Sequence, residues 1–159
     1  DSSGGEGMLR PGEVQWMSAG HGVEHSEYNG DPNGITHFLQ IWIQPDRVNA
    51  EPAHAQRAFD LPRHQGEWVT LASPDGEEGS IAIRQQAWLR GCLLSKGDQV
   101  DVSLEASRLY WLHVATGEVT VSGHALSAGD ALAFVEEAQT LAIEGVAEDS
   151  EVLIFDLPR

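Results

Sequence analysis

The sequence predicts an all-β chain folded as a sandwich or barrel, on three observations. Short apolar or alternating runs recur along its 159 residues, with Gly, Pro, Asp and Asn between them. No window of a dozen residues sustains apolar positions at i, i+3 and i+4, so no long helix is expected. Turn signals punctuate the runs at Asn29-Gly30, Asn33-Gly34, Pro74-Asp75-Gly76, Lys96-Gly97-Asp98, Thr116-Gly117 and Ala128-Gly129-Asp130.

Taken in order, strands are predicted near Glu13–Trp16, Val23–Glu27, Thr36–Ile43, Trp68–Ser73, Gly79–Arg84, Ala87–Leu94 and Gln99–Leu104. Others follow near Leu109–Ala115, Glu118–Ser122, Ala131–Val135, Gln139–Glu144 and Val152–Asp156. Residues 51–65, EPAHAQRAFDLPRHQ, interrupt the rhythm and read as a connecting loop with one helical turn. A hairpin is expected from Leu109 to His124, turning at Thr116-Gly117. Leu9-Arg10-Pro11-Gly12-Glu13-Val14 resembles Leu126-Ser127-Ala128-Gly129-Asp130-Ala131, each an L-x-x-G-[DE] turn leading into a strand. Such turns are common, so chance explains the match as well as two related β-halves do.

Composition narrows the function classes. With 25 acidic residues against 9 Lys and Arg, the formal charge is −16, which disfavours nucleic acid and anionic membranes. An acidic surface leaves a basic protein partner as a minority reading. Cys92 is the single cysteine, so no intrachain disulfide forms, in keeping with a reducing, cytoplasmic setting. The opening DSSGGEGMLR has neither a basic nor an apolar signal region, so no signal peptide is expected. No apolar run approaches the ~20 residues of a membrane helix.

The stretch Gly20–Tyr28, GHGVEHSEY, concentrates donor side chains. His21 and His25 would share a helix face, but Gly20, Gly22 and Val23 argue against helix. On a strand, His25 and Glu27 point the same way. An imidazole and a carboxylate on one face suit Fe(II), Mn, Ni or Zn. H-x-E alone leaves two readings open, a metal site or a surface pair on an edge strand. Two ligands also fall short of the three or four a catalytic metal needs.

A wider set of residues resembles the pirin family. Leu9–Gly20, LRPGEVQWMSAG, is followed by Gly22–Glu27, GVEHSE, then by Thr36–Pro45, THFLQIWIQP, and by Glu51-Pro52. Trp68–Gly79, WVTLASPDGEEG, is similar to the shorter bacterial pirin-like proteins. The resemblance covers essentially the whole chain and implies a bicupin, two double-stranded β-helix barrels in one polypeptide. It implies residues 1–60 as part of a first, metal-binding half, 61–79 as connection and shared strand, and 80–159 as a metal-free second half.

The resemblance further implies one divalent metal, Fe(II) first, with Mn, Ni, Cu, Zn or Co as alternatives. Three His and one Glu would hold it; His25 and Glu27 match the last two. The first two belong to an H-x-H motif, which this sequence lacks. The opening residues match family sequence downstream of that motif. A pirin lacking its N-terminal portion is therefore expected, with its first half incomplete and metal held weakly or not at all. An incomplete barrel exposes strand edges, so a dimer or a retained N-terminal fragment is a further expectation.

Some pirins are quercetin 2,3-dioxygenases, and eukaryotic members are transcriptional cofactors. The implied reaction is oxidation of a flavonol-like substrate by O2, with Glu27 as ligand and proton acceptor. The alternatives are a non-enzymatic protein-binding module and a structural remnant without metal. His21 is a pocket-mouth or exposed loop residue, and His37 a supporting donor or a structural His. Trp16, Met17, Phe38 and Trp42 are apolar walls or, more commonly, core. His54, His64, His113 and His124 read as structural or exposed, and Cys92 as a buried, inert thiol.

Overall fold

The structure, a computed structural model, describes residues 7–159; the Gly-rich opening 1–6 lies outside the described residues. β1 (Glu13–Ser18) and β2 (Ala53–Ala58) form a two-stranded antiparallel ribbon, from Glu13 opposite Ala58 to Ser18 opposite Ala53. Then come β3 (Val69–Ser73), β4 (Ile81–Ala82), β5 (Trp88–Leu94), β6 (Gln99–Ser103) and β7 (Leu109–Thr116). β8 (Glu118–Val121), β9 (His124–Ser127), β10 (Ala131–Val135), β11 (Thr140–Gly145) and β12 (Ser150–Leu157) complete the chain. A six-stranded sheet has the order β10-β7-β12-β5-β3-β4, and a four-stranded sheet the order β6-β11-β8-β9.

The all-β expectation holds. Among the described residues, helix is limited to 3₁₀ turns at Leu61–His64 and Glu77–Gly79, and no helix is long and apolar enough to cross a membrane. Period-two alternation explains how the sheets stack. β11 reads Thr140-Leu141-Ala142-Ile143-Glu144-Gly145, and Leu141 and Ile143 are buried while Ala142 and Glu144 face solvent. They meet Val119 and Val121 of β8 and, from the facing sheet, Leu112 and Val114 of β7 and Val152 and Ile154 of β12. Cys92, Leu94 and Tyr110 join them, so side chains fill the space between the sheets.

The six-stranded sheet is buried on its other face too. Leu153 and Phe155 of β12 pack there with Leu71, Ile81, Ile83 and Leu89, under Val14, Trp16 and Ala55 of the ribbon. β12 therefore reads as an unbroken apolar run, Val152-Leu153-Ile154-Phe155, because successive side chains enter different cores. Gly91, opposite Leu153, leaves room for this second layer: a Cβ there would lie 3.1 Å from Leu71 Cδ1 and 3.4 Å from Leu153 Cδ2.

The two L-x-x-G-[DE] turns match bond for bond. Glu13 N donates to Arg10 O at 3.0 Å, and Asp130 N to Ser127 O at 2.9 Å. Arg10 N donates to Glu13 Oε2 at 2.7 Å, and Ser127 N to Asp130 Oδ2 at 2.9 Å. Both glycines, Gly12 (φ 80°) and Gly129 (φ 94°), occupy the left-handed region that favours glycine. The shared geometry follows from the shared spacing.

Four expectations need correction. Residues 53–58, AHAQRA, form β2 rather than loop; pairing with β1 overrides the helix-favouring Ala, Gln and Arg. The strand expected over Gly79–Arg84 shrinks to Ile81–Ala82, because the 3₁₀ turn consumes its start. Thr116-Gly117 is a corner between sheets and not a hairpin turn: β7 pairs with β10 and β12, β8 with β9 and β11. Buried Ser150 fastens that corner, accepting from Glu118 N at 3.1 Å and lying 2.4 Å from where a Gly117 Cβ would be. The true hairpin turn is Ser122-Gly123, both at positive φ (46° and 87°), leading into β9.

The fourth concerns Val23–Glu27 and Thr36–Ile43, which are irregular and contain no strand. A strand exists only where a neighbour accepts its ladder hydrogen bonds, and among the described residues these segments have none. The expected bicupin with an incomplete first half stands: the second barrel is complete, and the described part of the first is the β1–β2 ribbon with its loops.

Ile154 is 2% exposed at the centre of the filled barrel, so Ile154→Ala is expected to cost about 2–5 kcal/mol. The check is the urea midpoint at unchanged m-value; a loss under about 1 kcal/mol would remove β12 as the core's centre.

Candidate functional site

β1 ends at Ser18, β2 begins at Ala53, and the chain between them carries GHGVEHSEY. Its two roots touch. At Gly20 (φ 55°) a Cβ would lie 2.0 Å from Ala50 O, so only glycine allows the approach. His21 Nε2 lies 3.4 Å from Glu51 Oε2 across the same roots, an exposed pair worth little by itself. His25 and Glu27 are both exposed, and His25 Nε2 lies 3.4 Å from Gln40 Nε2. The i, i+2 argument placed them on one face of a strand; without the strand, the fold does not enclose them.

Their donor chemistry, one imidazole and one carboxylate, suits a divalent ion. Among the described residues, no group of three or more His, Cys, Asp or Glu is disposed to hold one. The residues present therefore do not by themselves fit a bound metal.

The other candidates separate into structural and exposed positions. Trp16 packs into the second core opposite Ala55, with the Arg84 guanidinium 5.8 Å from its ring centroid. Met17 is half-buried opposite His54, which is exposed. Phe38 and Trp42 were expected in the core, yet Trp42 is 87% exposed and Phe38 52%, because the segment that holds them lacks a strand partner. His64 Nδ1 lies 3.2 Å from Glu67 Oε2, and His124 is exposed on β9. Cys92 is fully buried, and burial pushes its thiol up to about 11, far from a reactive thiolate.

Residues 39–45 lie over the outer face of the six-stranded sheet and leave an open groove of about 770 Å³. Trp42, Ile43, Trp111, Phe155 and Leu157 line it, with Gln40, Gln85 and His113 as polar groups. Sequence reasoning set His113 aside. Alternation was the available signal: Leu112 and Val114 face the barrel core, so Trp111 and His113 face the groove. Glu151 was also missed. Burial raises its carboxyl above the ordinary carboxylate range, against the smaller opposing effect of the His37 charge.

The profile described as the quercetinase C-terminal cupin domain matches residues 70–157, and the profile described as pirin matches residues 1–43. The chain belongs to the pirin family. The quercetin 2,3-dioxygenase of Escherichia coli K12 is 40% identical over 158 residues, 99% of this chain and 66% of that protein. A pirin-like protein of Caulobacter vibrioides is 34% identical over 157 residues, 98% of this chain and 66% of its own length. The nickel(II) complex of the Escherichia coli bacterial pirin YhhW superposes with a TM-score of 0.87 at 38% identity, over 98% of this chain and 66% of that one. This pirin chain thus spans just under two thirds of the relatives it matches.

Glu151 yields a pH test. Its folded-state pKa is raised, so its contribution to stability is present below the unfolded carboxylate range and is lost as pH rises through the folded value. Glu151→Gln is expected to raise the melting temperature at pH 7, with the gain vanishing below about pH 4.3. A pH-independent difference would mean that the carboxyl is solvated.

Proposed function

We propose that this chain is the greater part of a pirin-type dioxygenase that acts on flavonol-like aromatic substrates. In this reading His25 and Glu27 are two ligands of one divalent metal. The observation that carries it is the GVEHSE signature within a chain 40% identical over 158 residues to a quercetin 2,3-dioxygenase. A related pirin holding nickel(II) supports a divalent ion as the cofactor class. The remaining ligands would come from the third of the relatives' length that residues 1–159 do not match.

A divalent ion held by His25, Glu27 and ligands that this chain does not contribute would supply charge stabilisation to an ionised flavonol hydroxyl. In this reading the chain would supply two donors on an exposed loop, and Glu27 would be the carboxylate that accepts the hydroxyl proton. The second barrel offers a rigid, filled scaffold whose central sheet the loop borders. A protein-binding role is the second reading, favoured by the exposed apolar groove beside Trp42 and Trp111.

Iron content and oxygen uptake with quercetin test this. Residues 1–159 alone are expected to hold little metal and consume no oxygen. Co-expression with the unmatched third of the Escherichia coli relative is expected to restore both. In that assembly His25→Ala should lower metal affinity more than the ~10–100-fold seen for groups outside the coordination shell. Unchanged iron in that variant would remove His25 from the site, with His21 and His37 the next residues to replace. Metal restored without oxygen uptake would favour the binding module over the enzyme.

A further inference from the structure

The loop between β1 and β2 has few anchors of its own. Every residue from Glu24 to Gln40 is exposed. Besides Ile43, which packs against the second core, what holds it is a short stretch of the second half, between β4 and β5. Arg84 Nη1 donates to Ser18 Oγ at 2.8 Å and to Glu51 O at 2.7 Å, gripping the loop's two roots with one guanidinium nitrogen. The same guanidinium lies over Trp16. The backbone of Arg84 also takes part, its carbonyl accepting from Asp46 N at 2.8 Å. Next in the chain, Gln85 Nε2 donates to Gln44 O at 2.8 Å.

Arginine suits this place. Its planar fork offers several donors in fixed directions, and its face stacks on an aromatic ring while the donors remain engaged. Lysine would keep the charge and a donor but could not hold both acceptors with the same geometry. The contacts join positions far apart in sequence, so they set the loop's attitude to the barrel without contributing to the barrel's own cores.

We propose that Arg84 is a positioning residue: it clamps both roots of the loop that carries His25 and Glu27, and so determines where these side chains stand relative to the six-stranded sheet. Its functional meaning rests on the reading of His25 and Glu27 as ligands, but the clamp itself does not.

The test is a distance distribution between spin labels at His25→Cys and His124→Cys. Cys92 is fully buried and stays unlabelled. With Arg84 present the distribution is expected to be narrow. Arg84→Met is expected to broaden it and to raise deuterium uptake over residues 19–50, with β5, β7 and β12 as protected as before. Arg84→Lys should recover part of the narrowing. If Arg84→Met disturbs the barrel, Ser18→Ala serves instead, since it removes one acceptor and leaves Arg84 over Trp16. Equal widths in the wild-type chain and in a folded Arg84→Met or Ser18→Ala variant would overturn the clamp. Raised deuterium uptake in β5, β7 and β12 of the Ser18→Ala variant would also overturn it, because the contact would then support the fold in general. No metal is involved, so failure of the ligand assignment would show only in the iron content of His25→Ala.

Discussion

The structure depends on burial of both faces of one sheet. β12 runs at its centre between β5 and β7, with Val152 and Ile154 facing the filled barrel and Leu153 and Phe155 facing the ribbon. Each fully buried aliphatic side chain of this kind contributes roughly 1.5–3 kcal/mol relative to exposure. Neither core stands without this strand, so the barrel and the first-half ribbon share a foundation. Gly91 and Ser150 follow from the same demand. Gly91 makes room for the second layer, and Ser150 binds the corner through which the chain leaves one sheet for the other.

That shared sheet decides what the first half can do. Among the described residues of that half only β1 and β2 find ladder partners, in each other, and the ribbon buries Val14, Trp16 and Ala55 on the sheet. The chain between them is attached through Arg84 and Gln85 and through Ile43, which packs against the second core. A loop held largely at its roots, over a sheet buried on both faces, can be moved without unfolding what lies beneath it. It can equally be joined by further strands, because among the described residues 23–27 and 36–43 have no ladder partner, and Phe38 and Trp42 stand exposed.

Charge and apolar surface divide the molecule. The net charge of −16 is carried on a surface from which the groove beside Trp42 and Trp111 stands out as an apolar area. Arg108 joins the neighbouring interior strands β12 and β5 by another route, its Nε donating to Asp156 Oδ1 at 2.6 Å and its guanidinium lying 5.1 Å from the Trp88 ring centroid. Two arginines on tryptophans, Arg84 on Trp16 and Arg108 on Trp88, thus brace segments that enter or leave the central sheet. Each is partly shielded from water, which makes its contacts worth more than exposed pairs.

By itself the sequence determined the all-β class, most strands of the complete barrel, the turn glycines and the family. These are properties of short windows: alternation, a φ that glycine favours, a run of matched residues around HSE. The L-x-x-G-[DE] pair became a structural repeat once its hydrogen bonds could be laid side by side. Tertiary structure alone decided the rest. AHAQRA is a strand because β1 lies beside it, and Thr116-Gly117 is a corner because β7 and β8 belong to different sheets. THFLQIWIQP, with a clear strand pattern, is not a strand among the described residues, because alternation creates a surface ready for pairing but not the partner. The role of Arg84 was illegible for the same reason: Ser18, Glu51 and Trp16 are distant along the chain, and only folding brings them to one guanidinium.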